Sequence, residues 1–182
     1  MRVTGGEAKG TQLKTLQGHS IRPTSNVVRQ AIFSILENIA NDWRRALDLY
    51  AGSGALGIEA LSREAEWADF VDHRKKCCDI IKYNLEKIGK INKAHIYCCS
   101  VSKALTFLNN SYDIIFIDPA YSDPSANDLL LKLANSKLMQ EKSIIVLCHA
   151  NRFPLNPDYG RLHLVKQRYY GDTFISIYQR GG

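Results

Sequence analysis

From residue 45 onward, short runs of consecutive apolar residues alternate with longer segments in which apolar positions recur every three or four residues. The first kind reads as strands buried on both faces and the second as helices. Their alternation predicts an α/β chain built on a mostly parallel, twisted sheet covered on both sides. The strands fall at residues 45–50, 68–72, 94–98, 112–117 and 143–148. The run at 112–117 is the most apolar and is expected at the centre. Helices are predicted from Ala55, along a face carrying Cys78, Ile81, Leu85 and Ile88, around 101–108, and over 126–138. The tail breaks this rhythm: residues 162–166 and 173–178 alternate around Tyr169-Tyr170-Gly171-Asp172, the pattern of a C-terminal antiparallel hairpin.

Ahead of residue 45 the pattern differs. Gly5, Gly6, Gly10, Gly18 and Pro23 interrupt any helix, whereas Arg2-Val3-Thr4 and Thr11-Gln12-Leu13-Lys14 alternate like the two arms of a small β-hairpin. Thr24 or Ser25 then caps a helix to about Ile39, with Val27, Val28, Ala31, Ile32, Ile35 and Leu36 at helical spacing and Arg29 expected on the other side. This divides the chain into a basic hairpin and helix, 1–40, and a larger domain, 41–182.

At 182 residues, 45% hydrophobic and 23% charged, the chain has the balance of one well-buried core. It contains no run of about 18 apolar residues, and its N-terminus lacks the apolar stretch of a signal peptide, so a soluble, cytoplasmic protein is expected, and it is read as a monomer although sequence does not give the oligomeric state. Cys77, Cys78, Cys98, Cys99 and Cys148 form no C-x-x-C pair, and the five histidines are scattered singly. No metal is expected, and the thiols read as small buried hydrophobes. The net charge of +6 suggests a polyanionic partner. Much of it lies early: residues 1–30 hold Arg2, Lys9, Lys14, Arg22 and Arg29 against the single acid Glu7.

The chemistry gathers at the strand ends. Asp48-Leu49-Tyr50-Ala51-Gly52-Ser53-Gly54-Ala55-Leu56-Gly57 reads as a strand end, a glycine turn and a helix start. Gly52 and Gly54 let the backbone turn tightly and a ligand approach it. The spacing also fits the G-x-G-x-x-G dinucleotide pattern, with Asp72 about 20 residues on. Charge separates the two readings. A pyrophosphate at the turn would be repelled by Asp48, whereas the ammonium and sulfonium of S-adenosylmethionine would be attracted. The expected cofactor contacts are Asp48, Tyr50, Ala51, Gly52, Ser53 and Gly54, then Asp72 and His73 on the ribose side, and Ser100 and Val101 near the adenine.

Asp118-Pro119-Ala120-Tyr121 ends the central strand. An exocyclic amino group is a poor nucleophile because its lone pair is delocalised into the ring. Two acceptors for its N–H groups favour a tetrahedral nitrogen with a localised pair, and the Asp118 carboxylate and Pro119 carbonyl supply them. Tyr121 can stack on the base. Asp118, Pro119 and Tyr121 are therefore the catalytic candidates.

Taken together these stretches resemble the bacterial small-subunit ribosomal RNA guanine-N2 methyltransferases of the RsmD type, end to end. The resemblance rests on Val3-Thr4-Gly5-Gly6 with Lys9-Gly10, on Arg22-Pro23-Thr24 and Val28-Arg29, on the run from Asp48 to Arg63, and on Tyr170-Gly171-Asp172-Thr173. It implies a Rossmann-like class I fold, S-adenosylmethionine as donor and a guanine amino group of 16S RNA as acceptor, at position 966. It favours the assembled small subunit over free RNA as substrate. It also implies an N-terminal extension that helps hold the RNA, for which Arg2, Lys9, Arg22 and Arg29 are the candidates. The family pattern has a second proline where Ala120 stands, and commonly an acid or amide where Ser100 stands. Related loops serve DNA amino-methyltransferases and protein glutamine methyltransferases, and a non-catalytic RNA-binding assembly factor would share the basic N-terminus.

Overall fold

In the computed structural model, which describes residues 1–16, 24–40, 43–119, 125–150 and 154–182, the apolar runs become strands of one eight-stranded sheet. They are β1 (Arg45–Leu49), β2 (Trp67–Val71), β3 (Ala94–Tyr97), β4 (Tyr112–Ile117), β5 (Met139–His149), β6 (Asp158–Tyr159), β7 (Leu162–Tyr170) and β8 (Thr173–Arg180). The helices are α1 (Asn26–Ile39), α2 (Ala55–Ser62), α3 (Lys75–Lys87), α4 (Val101–Phe107) and α5 (Ala126–Ala134). The order across the sheet is β3-β2-β1-β4-β5-β8-β7-β6. Strands β1 to β5 are parallel and the β7–β8 hairpin is antiparallel to β5. The expected α/β architecture with its C-terminal hairpin is therefore present, and β4 is central.

Side chains alternate strictly between two cores. Ala46, Phe70, Ile114, Phe116 and Val146 face one cluster shared with Phe33 of α1, Ile58 of α2 and Ile81 of α3. Leu47, Leu49, Ile115, Ile117 and Leu147 face the other, under Ala104 of α4 and Leu130 and Leu133 of α5. Residues buried on both faces explain why these strands read as continuous apolar runs.

The edges of elements depart from the expectation where polar residues intrude. Helix α5 stops at Ala134, and Leu138 and Met139 reach the core beyond a turn at Asn135-Ser136. Strand β5 begins four residues early, at Met139, with a register break against β4 that Ser143 repairs: its hydroxyl accepts from Gln140 N and donates to the Tyr112 carbonyl. Two-residue β6 has no period to read; the Tyr159 hydroxyl fixes it by donating to Asn127 and accepting from Asn156 N.

The N-terminal segment forms the expected hairpin, with an antiparallel bridge between Arg2 and Gln12, and Ser25 caps α1 by accepting from Val28 N. Val3 and Leu13 enter the same core as α1 and the sheet. Polar clamps hold the hairpin on α2. Buried Glu59 accepts from Thr4 N and its hydroxyl, while the Ser62 hydroxyl donates to the Gly5 carbonyl and accepts from Ala8 N. The backbones meet closely: a Cβ on Gly6, whose φ is 72°, would lie 1.7 Å from the Ser62 carbonyl oxygen.

Gly6→Ala should therefore lose at least about 2 kcal/mol in a denaturant titration, from left-handed strain plus collision. Gly10→Ala, at φ 85° but with open space around it, should lose only about 1 kcal/mol. Equal losses at the two positions would show that the hairpin is not seated on α2.

Candidate active site

Strand order reverses between β1 and β4, and the loops leaving their carboxyl ends lie side by side, the place where ligands bind in such sheets. The β1–β4 pairing ends at Leu49 with Ile117, so Tyr50 and Asp118 are the residues that leave the two strands. After β1 the chain turns through left-handed conformations at Tyr50 (φ 59°), Gly52 (φ 58°) and Gly54 (φ 78°). Tyr50 is the costly one, since a side chain there is strained. It is half-buried and packs on the second core.

Two carboxyl groups hold this loop. Asp48 lies beneath it, 1% exposed, and accepts from Gly57 N at 2.9 Å inside the first turns of α2. It is thus buried under the turn rather than set at its mouth. Burial above all, then the neighbouring Asp118 and Asp72, push its pKa well above the ordinary carboxyl value, with the Gly57 amide opposing. Asp72 holds the loop from the side, accepting from Gly52 N at 2.9 Å. Burial would raise its pKa, but Arg74 and the Gly52 amide outweigh this and lower it. Arg74 donates from its backbone N and Nε to Oδ1 and from Nη2 to Oδ2. With Gly52 these fill the accepting positions of Asp72, so ribose hydroxyls would have to share it with Arg74.

At the end of β4, half-buried Asp118 accepts a hydrogen bond on Oδ2 from the Thr24 hydroxyl, just ahead of α1. Burial pushes its pKa up to about 6, with Thr24 opposing. Buried Cys148, on β5, is pushed well up by burial and then by the charges of Asp118 and Asp48.

The donor set suits a cationic nucleoside. Asp48, Asp72 and Asp118 converge, and Arg74 is engaged with Asp72. Around Gly52 there is open space, the nearest atom to an added Cβ being the Tyr50 carbonyl at 4.0 Å. A sulfonium or ammonium fits beside these acids, and a pyrophosphate would be repelled by them.

The model of the family described as "Conserved hypothetical protein 95" matches residues 1–179. This chain belongs to that family, the RsmD type. A Bacillus subtilis relative, "Putative rRNA methyltransferase YlbH", is 35% identical over the whole of both chains. "Ribosomal RNA small subunit methyltransferase D" of Escherichia coli strain K12 is 27% identical over 99% of this chain and 90% of its own. Among solved structures, "Putative methyltransferase yhhF from Escherichia coli" superposes with TM-score 0.85 at 25% identity, covering 100% of this chain and 98% of its own. An RNA methyltransferase from Salinibacter ruber, solved with S-adenosyl-L-homocysteine, shares the fold at TM-score 0.66 and 14% identity over 88% and 94%. The fold is that of the Rossmann-like, S-adenosylmethionine-dependent methyltransferases.

Of the residues expected at the site in this RsmD-type chain, the structure brings together Asp48, Tyr50, Ala51, Gly52, Ser53, Gly54, Asp72 and Asp118, with Pro119 following. Val101, the first residue of α4, is buried in the second core. The Ser100 hydroxyl oxygen caps α4 by accepting from Lys103 N, which engages the atom expected to meet the adenine. His73 is exposed beside Asp72. Tyr121 and Arg22 lie outside the described residues.

Two expectations are corrected. Arg29 is not on the exposed face of α1 but fully buried. Its guanidinium donates to the Arg2 carbonyl, to Asn26 Oδ1 and toward Met1 sulfur, tying α1 to the start of the hairpin. A buried Arg with such partners serves the fold, whereas Arg2 and Lys9 remain exposed. The thiols also divide: Cys77, Cys78 and Cys148 are buried, but Cys98 is exposed and Cys99 half-buried, because both follow the short edge strand β3.

Sequence reading missed Thr24 as a partner of Asp118, Arg74, and Asn84. Asn84 is buried in α3 and clamps Lys14 through both backbone groups while donating to the Ser53 carbonyl in the glycine loop. An amide between Ile81, Leu85 and Ile88 was the available signal.

Because the folded pKa of Asp118 is raised, the folded chain binds this proton more readily than the unfolded one between about pH 4 and pH 6. That stabilisation is full below the window and lost as pH rises through it. Asp118→Asn, which cannot ionise, should therefore be more stable than the parent by about 1–2 kcal/mol at pH 7, the difference shrinking toward pH 4. Melting curves across this range check it, and a variant less stable at pH 7 would contradict it.

Proposed function

We propose that this protein transfers a methyl group from S-adenosylmethionine to the exocyclic N2 amino group of a guanine in small-subunit ribosomal RNA, guanine 966, presented by the assembled particle. The observation that carries this reading is the placement of Asp118-Pro119 beside the glycine loop, across the reversal of strand order, with the Asp118 carboxyl on Thr24. The names of the relatives support ribosomal RNA as the substrate class.

The cofactor supplies an electrophilic methyl group carried on a sulfonium. Everything else falls to the chain. Asp48 and Asp72 shape the glycine loop and favour positive charge near it. Thr24 holds one oxygen of Asp118, leaving the other to accept one N–H of the guanine amino group while the Pro119 carbonyl accepts the second. Together they localise the nitrogen lone pair toward the donor. Ionised Asp118 also favours the positive charge that builds on the nitrogen, and is the group placed to take its proton. Arg2 and Lys9, exposed on the hairpin, contribute phosphate contacts, which are sequence-independent and screened by salt.

With tritiated cofactor and small-subunit particles from a strain lacking the gene, Asp118→Ala should reduce methyl transfer by at least about 100-fold while cofactor affinity is retained. Transfer by the parent should fall as pH drops through about 6, as Asp118 takes up its proton. An unchanged rate for Asp118→Ala would sink the mechanism. Label found on DNA or on a glutamine amide, with none on guanine, would move the chemistry to a different acceptor.

A further inference from the structure

The net charge of +6 has a definite place on the surface. Residues 1–16 carry three basic side chains against Glu7, and residues 75–93 carry six against Asp79 and Glu86, an excess that equals the charge of the whole chain. Folding joins the two segments. Asn84 of α3 accepts from Lys14 N at 2.8 Å and donates to the Lys14 carbonyl at 2.9 Å, Lys87 Nζ donates to the Gln12 carbonyl at 2.8 Å, and Lys90 pairs with Glu7. The second arm of the hairpin and the outer face of α3 are therefore one surface.

The outer face of α3 divides into two strips. Lys75, Asp79, Lys82 and Glu86 follow one another at helical spacing and neutralise themselves, Lys75 with Asp79 at 2.6 Å and Lys82 with Glu86 at 4.0 Å. One position round the helix, the strip of Lys76, Tyr83 and Lys87 borders the hairpin and contains no acid. Lys14 joins it from the hairpin, its ammonium 5.2 Å from the centre of the Tyr83 ring, which attracts the cation without cancelling its charge. Tyr83 is 48% exposed. Lys14, Lys76 and Lys87 are exposed as well, and among the described residues none of the three is in an ion pair. The result is a seam of uncompensated positive charge about 16 Å long, from the first turn of α3 to its last. Its upper end, Lys76, follows closely on Asp72 and Arg74 at the side of the glycine loop.

We propose that Lys14, Lys76 and Lys87, with Tyr83 holding Lys14 in place, form a phosphate-binding seam that grips the RNA backbone beside the site, separate from Arg2 and Lys9. The charge by itself calls for a polyanion, and the choice of RNA rests on the methyltransferase reading above. Lysines in a row without acids repel one another, and a run of phosphates removes that repulsion while releasing its own counterions. Lysine meets a phosphate as a point charge and reads no base, so the seam supplies affinity and orientation, not sequence choice.

The test removes two charges from the seam, Lys14→Gln with Lys76→Gln, and for comparison two from α5 and the turn after it on the opposite face of the sheet, Lys132→Gln with Lys137→Gln. All four side chains are exposed, and Asn84 holds Lys14 by its main chain, so the hairpin stays seated in the seam variant. Cofactor-free protein is titrated with a small-subunit ribosomal RNA transcript across a potassium chloride series, and with phosphatidylserine vesicles. The seam variant should bind the RNA about tenfold more weakly near about 0.1 M salt and lower the slope of log affinity against log salt by about 1.4, one phosphate contact for each lysine removed. The comparison variant should keep the parent's slope. Equal losses in the two variants would mean that net charge alone attracts the RNA, and would overturn the seam. Unchanged RNA affinity in the seam variant overturns it too, even where vesicle binding is lost, since the surface would then serve a membrane. A parent protein that binds RNA through the seam yet methylates no ribosomal RNA refutes the substrate reading and upholds the seam, whereas a parent that methylates it while the seam variant binds normally refutes the seam alone.

Discussion

The glycine loop after β1 keeps its shape because two buried carboxyl groups take up its amides. Asp48 receives Gly57 N from below and Asp72 receives Gly52 N from the side. A loop with three left-handed residues in a row of five has little regular hydrogen bonding of its own, so without these acceptors its buried amides would go unsatisfied. The two acids differ in state although they share the task. Asp72 is kept ionised by Arg74, and Asp48 is driven toward its neutral form by burial and by the acids around it. A cation arriving above the loop relieves that crowding, which makes the same pair both a scaffold and a selector of charge.

Local and overall charge oppose each other in this molecule. The chain carries a net +6, yet its cleft gathers Asp48, Asp72 and Asp118. Such an arrangement separates two binding tasks. The basic exterior attracts a polyanion, and the acidic interior favours a cation. Burying a carboxyl such as Asp118 costs stability at neutral pH, a cost that functional sites accept where binding requires it.

The N-terminal segment is joined to this centre at several points. Glu59 and Ser62 seat the hairpin on α2, Asn84 bridges Lys14 to the glycine loop, and Thr24 reaches Asp118. The segment thereby shares hydrogen bonds with both the glycine loop and Asp118, so its seating on the sheet and the geometry at the strand ends are coupled.

Strand and helix positions were legible because both faces of the sheet are buried: apolar runs such as 112–117 can only be inner strands, and the turn residues mark their ends. Asp48, Asp72 and Asp118 were legible as a set because a parallel sheet delivers every strand end to one side. Arg29 was misread because helical spacing says which direction a side chain leaves the helix, not what will cover it, and the hairpin covers it. Thr24, Arg74 and Asn84 escaped notice for a related reason. Thr24 and Asn84 act through partners that are close only after folding, 94 residues away in the case of Thr24 and Asp118, whereas Arg74 lies two residues from Asp72 and needs the turn after β2 to fold back onto it. Periodicity and local backbone chemistry are properties of neighbouring residues, so the sequence alone determined the elements, their order and the acids at their ends. Hydrogen bonding and proton affinity depend on through-space distance and on exclusion of water, so tertiary structure alone decided which acids have raised pKa values, which arginine is structural, and which side chains hold the glycine loop.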